Sequence, residues 1–162
     1  MVEHERSSAV IRRAKPYDLA PLAKLLRQLH EHHVRLVPES HRMPFDGYFE
    51  MQMRSFFEDE KMHIFVEELG GAITAYAVVN IFERDRAERI PARILYIEHF
   101  AVDENARRQG CGTRLFEYLK VFAKENGCSL IQLGAAAKNA DALSFYESMG
   151  MEPMMIRLEL KL

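Results

Sequence analysis

The segment from Ile94 to Thr113 constrains this chain more than any other part of it. An apolar run, Ile94 to Val102, leads into Arg107, Arg108, Gln109, Gly110, Cys111, Gly112 and Thr113, and then into the amphipathic stretch LFEYLKVFAKENG. That order reads as strand, glycine-rich turn, helix. Glycines let consecutive backbone N–H groups converge on one point, because no side chain blocks the approach. A helix starting there adds unpaired N–H groups and the positive end of its dipole. Arg107 adds charge at the mouth. The element reads as a cradle for a phosphorylated cofactor.

Length and composition narrow what can surround that cradle. The 162 residues are expected to form a single domain, residues 1–162. Hydrophobic residues make up 48% and charged residues 28%, the balance of a chain with a buried core. The formal net charge is −2 and the basic residues are interspersed with acidic ones, so no nucleic-acid partner is expected. No apolar stretch approaches the roughly 20 residues that span a bilayer, and the charged start MVEHERSSAV is unlike a secretion signal. Cys111 and Cys128 do not make a disulfide framework, and a reduced, cytoplasmic location is expected.

The periodicity sets out the other elements. Val10 to Ala14 is a first strand, and a helix then carries Leu22, Leu25, Leu26, Leu29 and His33 on one face. A second helix buries Phe49, Met53, Phe56 and Phe57. Ile64 to Glu68 and Ala72 to Phe82 form a hairpin around Gly70-Gly71, and Glu83 to Pro91 is a charged loop. The helix after the cradle runs to Asn126 and Gly127. Ser129 to Ala136 is another strand, Asn139 caps a helix through Ser148, and Met154 to Leu160 is a last strand. The fold class is α+β, a mixed sheet with helices packed on it rather than a doubly wound chain.

The cradle is neither a Rossmann fingerprint nor a Walker loop, since it lacks G-x-G-x-x-G near a first strand and G-K-[ST] at its end. What stands is Arg-x-x-Gly-x-Gly, as Arg107, Gly110 and Gly112. Further on, Asn139, Ala142, Phe145, Tyr146 and Gly150 form N-x-x-A-x-x-F-Y-x-x-x-G. Both motifs, at this separation and in this strand order, resemble those of the GNAT superfamily of acyl-CoA-dependent N-acetyltransferases. The resemblance covers essentially the whole chain. It implies a mostly antiparallel mixed sheet of about seven strands with helices on both faces.

The resemblance also implies roles. Backbone amides of Arg107, Arg108, Gln109, Gly110, Cys111, Gly112 and Thr113 would hold the pyrophosphate of acetyl-CoA, the acyl donor. Phe100, Ala101 and Val102 would bond the pantetheine arm as a neighbouring strand does, with an N–H near Phe100 polarising the acetyl carbonyl. Asn139, Ala142 and Phe145 would line the cofactor's other side. Tyr146 matches the position of the general acid, and Glu98 that of a proposed base. By strict alternation Tyr96, Glu98, Phe100 and Val102 share one face of their strand, and Ile97, His99 and Ala101 the other. His99 is thereby a core or subunit-facing histidine rather than a base, and a partly buried Glu98 would have a raised pKa.

The acceptor side is expected from the first two helices, the Glu83 to Pro91 loop and the chain end. The stretch HEHHVRLVPESHRMP is rich in His and Arg, which disfavours a polycation as acceptor. His30, His32, His33 and His41 lack a thiolate or carboxylate to complete a metal site, so no metal is expected. The expected function is acetyl transfer, by direct attack, to the primary amine of a small amino-acid-like or polar molecule. A protein or peptide amine as acceptor, or a non-catalytic CoA-binding sensor subunit, are the alternatives. The apolar last strand and the resemblance both suggest a homodimer.

Overall fold

The computed structural model describes residues 8–162. Its sheet runs β1 (Val10–Arg13), β2 (Met62–Leu69), β3 (Ala72–Arg84), β4 (Ala92–Val102), β5 (Leu130–Leu133), in that spatial order. The first four strands are antiparallel neighbours, and β5 joins β4 in parallel. The helices are α1 (Leu19–Leu36), α2 (Tyr48–Glu58), α3 (Cys111–Glu125) and α4 (Ala140–Ser148). Among the described residues no helix is long and apolar enough to cross a membrane.

Alternation along β3 divides the core. Tyr76 and Val78 face α1 and α2, where Leu22, Leu25, Leu26, Phe49 and Met53 pack on them with Ile64 and Val66 of β2. Ala75, Ala77 and Val79 face α3, whose Leu115, Phe116, Leu119 and Ala123 pack with Phe65, Leu95 and Ile97. A sheet covered on both faces explains why its central strands read as near-continuous apolar runs. Gly70 and Gly71 both adopt positive φ, 60° and 79°, the requirement of the two-residue turn that joins β2 to β3. At the head of α1, Asp18 is buried and takes hydrogen bonds from Arg12 and from the Lys15 backbone. The Arg12 hydrogen bond, more than any other contact, holds the Asp18 carboxyl below its ordinary pKa.

Three expectations need correction. The sheet has five strands, not about seven. Ser129 to Ala136 shortens to Leu130–Leu133, and Met154 to Leu160 forms no strand at all. A period-two pattern says that a segment can lie on a sheet but names no partner strand, and this segment pairs with none among the described residues. The third correction concerns faces. Val78 pairs with His99 while its neighbour Val79 pairs with Ile97, so Glu98 is an extra residue, a β-bulge. The bulge resets the alternation. Glu98 and His99 both lie on the α1 and α2 side, and Phe100 and Val102 lie on the α3 side with Leu95 and Ile97.

Candidate active site

The parallel pairing of β4 and β5 is short. It runs from Ile94 opposite Leu130 to Ile97 opposite Leu133, and there β5 ends while β4 continues to Val102. From Glu98 to Val102 the edge of β4 that would face β5 therefore has no strand neighbour among the described residues. Backbone N–H and C=O groups along such an edge are obligatory hydrogen-bonding groups. An extended ligand with amide groups can pair with them as another strand would.

The glycine turn closes the far end of this fork. Gly110 sits at φ 79° as the residue before α3, and Arg108 is the only described non-glycine residue with positive φ, at 62°. Helical bonding begins with the Arg114 N–H on the Gly110 carbonyl, so the amides of Cys111, Gly112 and Thr113 lie ahead of the ladder. No side chain caps this helix start and no acidic residue lies in its first turn. That combination leaves the amides and the dipole available to an anion. Gly112 has a packing role too: a Cβ there would lie 3.4 Å from both Val102 and Phe145, where β4, α3 and α4 meet.

A buried carboxylate braces the turn from beneath, and the sequence reading missed it. Glu67 of β2 is fully buried. It accepts from Arg114 Nε through Oε1 and from Thr74 Oγ1, at 2.7 Å, through Oε2. Arg114 in turn donates to the Gln109 carbonyl at 2.9 Å, inside the glycine turn. Thr74 is the bulged residue opposite Glu67, and its carbonyl accepts from Asp103 N–H at 2.8 Å, just past β4. Burial alone would raise the Glu67 carboxyl, but hydrogen bonds from Arg114, Cys111 and Thr74 outweigh it and leave it below the ordinary carboxylate value. The Cys111 thiol is pushed up, by burial first and then by Glu67, so it is a packing residue and not a reactive one. A signal did exist: Glu67 occupies an inward position of β2, two residues from buried Phe65.

Aromatic rings fill the α3 side of the fork. Phe100 stacks on Phe145 with centroids 5.7 Å apart, and Tyr146 stands 6.2 Å from both Phe100 and Phe116. Burial pushes the Tyr146 phenol up to about 12. Asn139 and Ala142 meet at the start of α4, where Ala142 N–H donates to Asn139 Oδ1 at 3.2 Å as the helix cap. On the opposite side Glu98 is exposed and accepts from Asn80 Nδ2 at 2.7 Å. The sequence predicts a partly buried side chain here, and it is exposed. His99 packs edge-on against Phe56 at 5.0 Å and its Nδ1 lies 3.4 Å from the Tyr76 hydroxyl. Burial, helped by nearby His33, holds His99 down at about 4.

Beyond His99 the end of α1 and the loop after it gather His30, His33 and His41, the His41 ring lying 6.0 Å from His30 and 5.6 Å from His33. His30 Nε2 bonds the Arg42 carbonyl at 2.8 Å, and burial followed by its histidine neighbours lowers the His33 pKa. Among the described residues no group of three or more His, Cys, Asp or Glu is placed to hold a metal ion.

The brace generates a direct expectation. Glu67→Gln keeps the shape of the site but removes the charge that positions Arg114, and should weaken CoA binding about tenfold, ~1.4 kcal/mol. It should also lower folding stability by about 1.5–3 kcal/mol, the scale of hydrogen bonds to charged groups. Calorimetry with CoA on the folded variant measures the first, and unchanged affinity would remove the bracing role.

The model of the Acetyltransferase (GNAT) family matches residues 26–151. Glucosamine 6-phosphate N-acetyltransferase of Arabidopsis thaliana is 30% identical over 114 residues, 70% of this chain and 72% of the relative. Thialysine N-epsilon-acetyltransferase of Bos taurus is 24% identical over 150 residues, 90% of this chain and 85% of that protein. Among solved structures, a variant of the BH1408 protein from Bacillus halodurans superposes with a TM-score of 0.88 at 27% identity, covering 94% of this chain and 99% of that one. With its fork between parallel strands, its uncapped glycine turn and these relatives, the chain belongs to the GNAT family and is an acetyl-CoA-dependent N-acetyltransferase.

Proposed function

We propose that this enzyme acetylates the primary amine of a small polar molecule that also carries an anionic group, an amino-acid-like acceptor being the leading class. The observation that carries the reading is the His- and Arg-rich end of α1 and the loop after it, where His41 joins the His30 and His33 rings and the Arg42 carbonyl bonds His30 Nε2, with Arg35 nearby in sequence. A polycation is disfavoured there by like charge, whereas a carboxylate or phosphate is favoured. The names of two relatives agree in kind: glucosamine 6-phosphate and thialysine are both amines that bear an anionic group. Action in the cytoplasm, in keeping with the free thiols of Cys111 and Cys128, and a homodimeric state belong to the same reading.

The chemistry follows from the two sides of β4. Acetyl-CoA would lie in the fork, its pyrophosphate on the amides of Cys111, Gly112 and Thr113 with Arg107, Arg108, Gln109 and Gly110 around it. The pantetheine arm would run along Phe100, Ala101 and Val102 beside the Phe145 ring. The neutral amine nitrogen adds to the thioester carbonyl carbon, and the oxygen gains negative charge in reach of the Phe100 N–H. The C–S bond then breaks. The departing sulfur takes a proton from the Tyr146 hydroxyl, and the phenolate recovers one from solvent. The surplus proton on nitrogen leaves through water toward Glu98. Acid and base thus approach from opposite faces of one strand, an arrangement that the bulge at Glu98 makes possible.

An amine panel with acetyl-CoA, followed by release of free CoA thiol, tests the acceptor class. Carboxylate- or phosphate-bearing amines should give the highest kcat/KM; turnover of spermidine but not of anionic amines would sink the idea, and preference for peptides would move the acceptor to protein. For the acid, Tyr146→Phe should lower kcat by about 10²-fold while acetyl-CoA affinity stays unchanged. Because the phenol keeps its proton up to about 12, kcat/KM in the wild type should rise with pH as the substrate amine deprotonates, with no fall below that value from Tyr146. Unchanged kcat in Tyr146→Phe removes it from the acid role.

A further inference from the structure

The α1 and α2 side of the sheet is covered only in part. Along β3 the residues of that face are Tyr76, Val78, Asn80, Phe82 and Arg84, and only Tyr76 and Val78 belong to the core beneath the two helices. Beyond them a less covered strip begins at Glu98, which accepts from Asn80, with Tyr96 opposite Asn80 in the ladder. Phe82, 43% exposed, follows, and the strip ends in an open cavity of about 560 Å³ at the turn between β3 and β4. Arg84, Arg86, Arg89 and Met155 wall that cavity together with Phe82. Its size is that of a small-molecule site.

Arg84 differs from the other arginines of the cavity. Arg86 and Arg89 are exposed, whereas Arg84 is half-buried. Its Nη2 donates to the Ile90 carbonyl at 3.3 Å, and its Nε is buried without a hydrogen-bond partner. Among the described residues no carboxylate pairs with it. Of the acidic residues around the cavity, Glu83 is taken by Arg93, and Asp85 and Glu88 are exposed. A guanidinium carries five donors in a fork that matches a carboxylate or a phosphate. One held by a single long bond, with a dry and unsatisfied Nε, gains by turning onto an oxyanion in the cavity beside it. Half-buried, that pair is less screened than one formed on the exposed Arg35 or Arg42.

We propose that Arg84 anchors the anionic group of the acceptor, which lies along this strip with its amine at Glu98. From Asn80 to Arg84 the strand rises about 13 Å, so amine and anion stand at opposite ends of an elongated molecule. The floor between them is Tyr96 and Phe82, which suits an apolar spacer. Arg35 and Arg42 set the sign of the field around the site, and Arg84 fixes one point in it. This role rests on the reading of the acceptor as an anionic amine, and adds its length and the place of its anion.

The test compares ω-amino carboxylates of increasing chain length with the matching ω-amino alcohols and ω-aminoalkyl phosphates, on the wild type, Arg84→Gln and Arg84→Lys. In the wild type, kcat/KM for the anionic series should peak where amine and anion are about 10 Å or more apart, well above the alcohol of equal length. Whichever of the two anionic series gives the higher peak identifies the oxyanion. Arg84→Gln should raise KM for the long anionic amines about tenfold, with kcat, the alcohols and CoA affinity unchanged. Arg84→Lys should recover part of the loss, because it restores the charge without the fork. Preference for the shortest anionic amines, or an Arg84→Gln variant that loses anionic amines and alcohols alike, would overturn the anchor while the anionic acceptor stands. Turnover of spermidine with no turnover of any anionic amine would overturn both.

Discussion

Everything distinctive in this molecule depends on the parting of β4 and β5. Parallel strands need a crossover, and here α3 supplies it, so its start lies beside the end of β4. Since β5 pairs with β4 only as far as Leu133, the last turns of β4 keep a row of backbone groups without a strand partner. Within the sheet those groups would be a cost; beside a ligand with amides of its own they are a binding surface. The glycine turn sits where that surface ends, so one stretch of chain presents strand edge and uncapped helix start in succession.

Two bulges tune the fork. The one at Thr74 lets a threonine hydroxyl reach buried Glu67, and through Glu67 and Arg114 the charge of β2 is tied to the backbone of the turn. A lone carboxylate under this turn would repel an anion placed on the proposed pyrophosphate site. Paired with Arg114 it instead holds a cation in place under the turn. The bulge at Glu98 moves two consecutive side chains to the α1 and α2 side and sends Phe100 toward Tyr146. Bulges of this kind re-aim side chains beside functional sites.

The elements that local pattern controls were legible: the hairpin around Gly70-Gly71, the stripe of α1, the cradle from Arg107 to Thr113 and the Asn139 cap all form where their residues place them. What local pattern does not encode is pairing. Alternation read strictly put Glu98 and Phe100 on one face, because an extra residue in a ladder leaves no mark in hydrophobicity. Glu67 and Arg114 stand far apart in the sequence, and only the docking of α3 on β2 brings them together. Met154 to Leu160 carries a strand pattern and forms none, because its pattern specifies a face and not a partner.

The central claim is that one ligand engages the free edge of β4 and the start of α3 together. Amide hydrogen exchange, followed residue by residue with and without CoA, tests it most directly. CoA should slow exchange at Phe100 and Val102 and at Cys111, Gly112 and Thr113, with little change in β1 and β2, which lie at the other side of the sheet. Protection that appears elsewhere, or at the turn without the strand edge, would contradict it.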